Sequence, residues 1–387
     1  MGNLTAFGPF VTDFYLPCLP ELTSYFAQPE AIIQTSLTAS MLGLAAGQLL
    51  IGSIADKYGR KRPLLWSLAL FVLATVGCTL STEIHPFLFF RLLQGLTGAG
   101  GLVISKSIVA DRFRAEELAR YFAFLAAVQG AAPIVAPVLG GAAYSLSCWQ
   151  GAFILLGIWG ICLWTSCRSL EETLPAAKRL HMPIWESFRC YFTVLGHPIF
   201  AVMTLLLGFS TAALMAYISA SPFLFQNHFG LTPMQYSLCF AFNAVGLTTG
   251  SAAIVKMRGM VRATTLSVNG LLLTSLTVAL SLWLEGSFLL FEAGIFLMLF
   301  CVGLLTPVAM TRALNAVSGN KGVASALLGA TPFLLGGIVA PLTGLGNLIV
   351  STAGVILSCT LVCFILWLLL LLTNRRPQAS AVHAERN

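Results

Sequence analysis

The sequence is poor in charge. Of its 387 residues only 9% are Asp, Glu, Lys or Arg, whereas soluble domains carry roughly 25%. With 57% of the residues hydrophobic, the 21 basic and 14 acidic side chains are too few to cover a water-soluble globule of this size. A secreted disulfide scaffold, a disordered chain and a nucleic-acid binder are excluded on that ground. Motifs that carry chemistry are also missing. The ten cysteines include no CxxC, and Cys359 and Cys363 have no histidine or acid beside them, so they read as small apolar residues. The five histidines lie in loops, at helix ends or in the tail without an HExxH arrangement. There is no Walker motif, GLTGAGG (95–101) continues an apolar helix instead of following a strand, and no nucleophile–base pair or metal set emerges. Neither an enzyme nor a bound cofactor is expected.

Long apolar runs are what the chain has instead. They fall at 3–20, 33–54, 63–80, 87–108, 121–146, 150–167, 198–220, 234–255, 263–284, 288–311, 322–346 and 348–373. About 20 residues at 1.5 Å each cross the roughly 30 Å of bilayer hydrocarbon. A backbone without water must bond to itself, so the runs are helices. Continuous blocks such as LVCFILWLLLLLT (361–373) lack the alternation of a β-barrel. The expected fold is an all-α polytopic membrane protein of twelve spans. Its spans divide into halves 1–167 and 198–373, with a polar linker 168–197 holding Arg168, Glu171, Glu172, Lys178, Arg179, Glu186 and Arg189, and a tail 374–387. Six spans on each side suggest an internal duplication. The first run is the weakest: either the chain starts upstream of Met1 or this helix is short and tilted. It is not a cleaved signal, because it lacks a basic n-region and Asp13 interrupts it.

The basic residues fix an orientation. They cluster at Lys57, Arg60, Lys61 and Arg62; at Lys106, Arg112, Arg114 and Arg120; in the linker; at Lys256, Arg258 and Arg262; at Arg312 and Lys321; and at Arg375, Arg376 and Arg386. Every cluster follows an even-numbered span, and the opposite loops carry only Glu21, Glu30, Glu83 and Glu285. The positive-inside rule then places both termini in the cytoplasm.

Arg91 is the single exception. An arginine at membrane depth costs at least about 3 kcal/mol. It either snorkels to the nearby interface or faces the bundle and meets a carboxylate. Asp13, at matching depth in the first span, is the acid expected to meet it; the alternative is that Asp13 is hydrated at a helix end. Burial favours a protonated acid and a nearby guanidinium an ionised one. An arginine that approaches and withdraws thus couples protonation to conformation. Glu292 is a possible secondary acid: a second proton or cation site, or a hydrated interfacial group. Tyr15, Gln94, Gln129, Asn243 and Asn269 are candidates to line a substrate cavity or to bridge packed helices.

Three local patterns bear on motion. RLLQGLTGAGG (91–101) gives one helix a strip of small residues for close packing. GAAPIVAPVLGG (130–141) places Pro133 and Pro137 where each removes a helical hydrogen bond and favours a bend. In GSIADKYGRKRPL (52–64), Asp56 either caps the following helix, in a plain anchoring turn, or bonds a neighbouring helix end as a cytoplasmic gate.

These patterns resemble a known family. Gly52, Asp56, Gly59, Arg60 and Lys61 are similar to the loop signature of the major facilitator superfamily, and RLLQG (91–95) resembles its R-x-x-Q-G pattern. Gly130, Pro133, Pro137, Gly140 and Gly141 resemble the span 5 signature of its antiporters. More locally, DFYLPCLP (13–20), KSIVAD (106–111) and GVASALLG (322–329) resemble segments of the Bcr/CflA drug-resistance exporters, the bicyclomycin-resistance type. The chain departs from them at Lys106, where arginine is usual, and in the decayed second-half loop SAAIVKMRGMVR (251–262). The resemblance implies twelve helices in two pseudo-symmetric halves and proton-driven, alternating-access export of small toxic compounds through the bacterial inner membrane. It also implies Asp13 and Arg91 at the coupling site, no cofactor beyond a proton gradient, and a monomer in the bilayer. Rival readings are a proton-coupled carrier of a small metabolite such as an amino acid, working in either direction, a uniporter, and a non-transporting membrane scaffold.

Overall fold

Three prolines shape the start of the chain. In the computed structural model, which describes residues 1–179, 191–257, 259–284, 286–317 and 321–384, the first segment is jointed: α1 (Gly2–Thr5), α2 (Phe7–Asp13), a 3-10 turn (Leu16–Cys18) and α3 (Leu19–Phe26) follow one another. A proline has no N–H to give the carbonyl four residues back. Pro9 cannot bond Thr5 and Pro17 cannot bond Asp13, and α1 and α2 end at those two residues. The expected single span 3–20 is therefore corrected to a series of short helices that runs on to Phe26, where Ala27 turns the chain with a left-handed φ of 50°. Arg258, Glu285, linker residues 180–190 (with Pro183, Glu186 and Arg189) and Arg386 lie outside the described residues.

The other helices are long. They are α4 (Glu30–Tyr58), α5 (Lys61–Leu80), α6 (Ile84–Arg112), α7 (Ala115–Leu146), α8 (Trp149–Arg168), α9 (Pro198–Phe223), α10 (Pro233–Ala253), α11 (Met260–Trp283), α12 (Phe288–Asn315), α13 (Lys321–Val339) and α14 (Leu348–Ala384). A π turn (Leu224–His228) extends α9, and a 3-10 turn (Ala340–Gly344) extends α13. Among the described residues, eleven helical stretches are thus long and apolar enough to cross a membrane, where the hydropathy reading gave twelve; the jointed first segment is the difference. Large apolar side chains such as Trp66, Leu73, Phe89, Leu273 and Leu289 point outward, the surface a lipid solvent calls for. Pro133 and Pro137 both sit inside α7, which nonetheless runs unbroken.

Glycine sets the helix spacing. Gly43 and Gly47 of α4 lie on the Leu92 and Leu96 carbonyls of α6, and Gly95 of α6 lies on the Ser40 carbonyl of α4. The same device recurs later in the chain. Gly246 and Gly250 of α10 face the Phe296 and Phe300 carbonyls of α12, and Gly303 answers with Leu247. Backbones come this close only where no Cβ intervenes.

Candidate functional site

Arg91 is 0% exposed and points into the bundle, so the snorkelling alternative does not describe this conformation. Its guanidinium donates to the Val11 carbonyl (3.0 Å), to Ser40 Oγ (3.0 Å) and to Gln94 Oε1, and it stands 4.0 Å from the centre of the Tyr15 ring. Gln94 passes the network on through Nε2 to Thr75 Oγ1 (2.8 Å), and Tyr15 Oη meets Ser36 Oγ (2.9 Å). The jointed segment, α4, α5 and α6 thus converge on one cation. Carbonyl dipoles and a ring face replace water around it. Arg91 Nε has no partner.

The expected encounter with Asp13 is absent in this conformation. Ion pairs among the described residues join Arg60 to Asp56 and Arg60 to Asp111; Arg91 and Asp13 form none. Asp13 is 4% exposed, so the hydrated alternative does not hold either, and its Oδ1 accepts from Thr12 Oγ1 (2.7 Å). The reason is local. Arg91 takes the carbonyl of Val11, two residues before Asp13 on the same segment. Gly140 and Gly141 of α7 adjoin this region: the Phe14 carbonyl packs over Gly140, and the Ser237 hydroxyl of α10 over Gly141. Farther along the same contact, the Gly130 carbonyl accepts from Thr248 (3.3 Å).

The helices before and after the linker are held together at the end that carries the acidic loops. Gln34 donates to the Ser219 carbonyl (3.4 Å) and accepts from Thr343 (3.2 Å), Ser219 bonds the Ala340 carbonyl (3.2 Å), and Gln226 bonds the Pro17 carbonyl (3.2 Å). Towards the end with the basic loops lies a cavity of about 470 Å³, lined among others by Gln48, Asp56, Lys106, Tyr191, Met310 and Ser325, where Gln48 Nε2 still bonds the Gly329 carbonyl (3.1 Å). The five residues expected to line a cavity are not among its walls. Tyr15 and Gln94 belong to the Arg91 network, Asn243 is fully buried, Gln129 is half-buried on α7, and Asn269 is exposed on α11. Position along a helix gives depth; it does not say which way a side chain turns.

The loop signature forms a clasp. Asp56 does not cap α5; it accepts from Arg60, whose Nε also donates to Asp111 at the end of α6 (3.0 Å). Gly59 has φ of 94°, a left-handed value that suits glycine, and a Cβ there would strike the Glu172 carboxylate. Glu172 accepts from the backbone N–H groups of Arg60 (2.8 Å), Lys61 (3.1 Å) and Leu174 (3.0 Å), and Thr173 bonds Asp111 (3.2 Å). The beginning of the linker is thereby tied to the loop, a partner the motif alone did not reveal. Burial pushes the Glu172 carboxyl up, but the three N–H donors and the Arg179 charge outweigh it and hold the group below its ordinary 4.5. A carboxyl depressed in the folded state stabilises fully above its unfolded value, and that contribution is lost as pH falls through the folded one. The clasp is therefore expected to hold at neutral pH and to open only in acid below 4.5. Glu172→Gln should speed proteolysis of the 168–179 segment at pH 7, with the difference from wild type vanishing in strong acid.

Glu292 and Asn243 form a separate cluster. Asn243 Nδ2 donates to Glu292 Oε1 (3.0 Å) and to Tyr217 Oη (3.1 Å). Glu292 is 9% exposed and Asn243 0%, so the hydrated reading of Glu292 does not describe this conformation.

Comparison with known proteins matches this architecture. The family model of the Major Facilitator Superfamily matches residues 3–341. An uncharacterized MFS-type transporter of Bacillus subtilis (strain 168), YdgK, is 33% identical over 369 residues, covering 94% of this chain and 92% of its own. The multidrug resistance protein MdtL of Shigella dysenteriae serotype 1 (strain Sd197) is 28% identical over 380 residues, covering 96% and 94%. Among solved structures, a D-xylose-proton symporter superposes with a TM-score of 0.73 at 13% identity, over 94% of this chain and 95% of its own. A bacterial homolog of the human lysosomal transporter Spinster, inward-facing and unoccupied, gives 0.70 at 15%, over 95% and 92%. At such low identity these two share the fold and nothing further is taken from them. The chain belongs to the major facilitator superfamily: it is an all-α, multi-pass membrane protein, a secondary transporter of small molecules and not an enzyme.

Proposed function

We propose that the protein is a proton-coupled antiporter of the Bcr/CflA type, exporting small amphiphilic toxic compounds or antibiotics across the bacterial inner membrane. Residues 1–167 and 198–373 rock about the linker 168–197, with both termini and the tail 374–387 in the cytoplasm. In this reading the acidic-loop end is outer, so the conformation described is closed outside and keeps its cavity toward the inside. The observation that carries the proposal is that Arg91 and Asp13 are both buried, with Arg91 on the carbonyl two residues before Asp13, and yet unpaired. Asp13 in this conformation holds a proton; in the opposite one it displaces the Val11 carbonyl, pairs with Arg91 and releases it. A proton and a substrate need only prefer different conformers by a few kcal/mol to drive exchange. The multidrug-resistance name of the Shigella relative supports export, and the imposed proton gradient is the energy source, with no cofactor. The two halves supply the moving interface within one chain, so a monomer suffices.

The test is dye and antibiotic transport in proteoliposomes, with proton flux recorded alongside. Export should collapse with an uncoupler, and Asp13→Asn should lose proton-linked transport while still inserting. Wild-type export from correctly inserted Asp13→Asn would refute the coupling role. Movement of substrate in the same direction as protons would favour the importer instead.

A further inference from the structure

We infer that Glu292, with Asn243 and Tyr217, forms a second proton-binding site in the part of the transporter after the linker, built around an amide that serves the acid in both of its states. The inference rests on the proton-coupled reading above and deepens it by placing a second titrating acid in the cycle.

Donors and acceptors in the cluster do not balance. Asn243 Nδ2 has two hydrogens; one reaches Glu292 Oε1 at 3.0 Å and the other Tyr217 Oη at 3.1 Å. Glu292 Oε2 and Asn243 Oδ1 are both buried and both without a partner. The cluster therefore has two idle acceptors and no donor left on the amide. A buried acceptor without a donor costs about 1–3 kcal/mol, and the missing piece for a carboxyl is a proton. Protonated on Oε2, Glu292 keeps its Oε1 on the Asn243 N–H, and the idle acceptor becomes a donor. In the ionised state the same N–H faces the carboxylate. No bond other than O–H forms or breaks, and the proton comes from water when the bundle opens.

The surroundings are aromatic. Phe225 and Phe229 pack on Phe291, at 5.7 and 5.5 Å between ring centres, and Phe240 stacks on Tyr217 at 6.0 Å. The groups within electrostatic reach are weak ones. Tyr217 lies on α9, Cys239 and Tyr236 on α10, and Tyr236 in turn senses Asp13 and Tyr15. His228 stands against Phe229. The described part of α11 beyond Arg262 holds no Asp, Glu, Lys, Arg or His, α13 has none beyond Lys321, and α14 offers Cys359 and Cys363 up to 372. Arg312 is on the same helix as Glu292 but near its far end, bonded to Thr264. Among the described residues no cation faces Glu292, so its charge is balanced by a proton.

Infrared difference spectra of the full chain in lipid, taken between alkaline and acidic pH, read buried carboxyl groups directly. Wild type should show two titrating carboxyl C=O components. Glu292→Gln should remove one and Asp13→Asn the other. Asn243→Leu should shift the Glu292 component to higher frequency, because its carbonyl loses a hydrogen bond. Glu292→Asp, which keeps the acid, should displace that component without abolishing it and serves if the glutamine variant fails to fold. An unchanged spectrum in Glu292→Gln, or a Glu292 component indifferent to Asn243→Leu, overturns the second site. An unchanged spectrum in Asp13→Asn refutes only the coupling role assigned to Asp13, so the two readings fail separately.

Discussion

Arg91→Gln is expected to reduce proton-driven export by about 100-fold or more while leaving the protein inserted. Two effects on folding oppose each other. The substitution removes a buried cation that has no acid beside it, which relieves a cost of about 3 kcal/mol or more. It also takes donors from the Val11 carbonyl and Ser40, at roughly 1–3 kcal/mol for each group left bare. The terms nearly cancel in the fold. They do not cancel in transport, because in the proposed cycle this cation is the charge that Asp13 meets in the alternate conformer. Losing about 3 kcal/mol of preference between conformers is a factor of about 100 in their ratio. Arg91→Lys keeps the charge but not the planar fork that reaches Val11, Ser40 and Gln94 together, and should fall between the two. Proteoliposome export normalised to inserted protein measures this; full activity in Arg91→Gln would end the role assigned to it.

Gly95→Val should act on assembly as well as on transport. A Cβ at Gly95 would run into the Ser40 carbonyl, and the reciprocal contacts of Gly43 and Gly47 leave α4 nowhere to slide. Overpacking of this kind costs about 1–3 kcal/mol where side chains yield and more where backbone must. Ser40 is also a partner of Arg91, so pushing α4 away lifts a hydroxyl off the guanidinium. We expect a thermal unfolding temperature lower by at least about 5 °C and no detectable export. Gly354→Val is the control: a Cβ there meets nothing within 4 Å. Equal thermograms for the two variants would show that the glycine contact does not set the helix spacing.

What could be read from the residues divides along a physical line. Hydropathy integrates over 20 residues, so the membrane-crossing stretches of the eleven long helices were legible to within a few positions, while polar helical extensions such as α14 beyond 373 were not. The first segment was not, because its interruption depends on prolines at 9, 17 and 20 acting on carbonyls four residues earlier, and an averaged window blurs that. Charge at depth singled out Arg91 and Asp13 correctly as buried groups, but their azimuth was hidden, and the carbonyl of Val11 carries no signature in a side chain at all. Ser36, Ser40 and Thr75 are too common in membrane helices to be chosen. Gln34, Ser219 and Thr343 were missed for another reason: they meet across 185 and 309 positions of chain. Glu172 looked like ordinary linker charge until the backbone N–H groups of Arg60 and Lys61 were seen around it. Asn243 was picked out for a cavity wall and belongs with Glu292 instead.

The jointed opening segment bears on biogenesis. Helical pieces of four, seven and eight residues cannot each satisfy their backbones in oil as one long helix would. Their seat is the trough at Gly98 and Gly101, against which Phe7, Val11 and Leu4 lie, and the ribosome makes that trough much later. The leading piece must therefore wait at the interface or be held by the insertion machinery until α6 arrives, which places Asp13 among the last groups to reach its final depth.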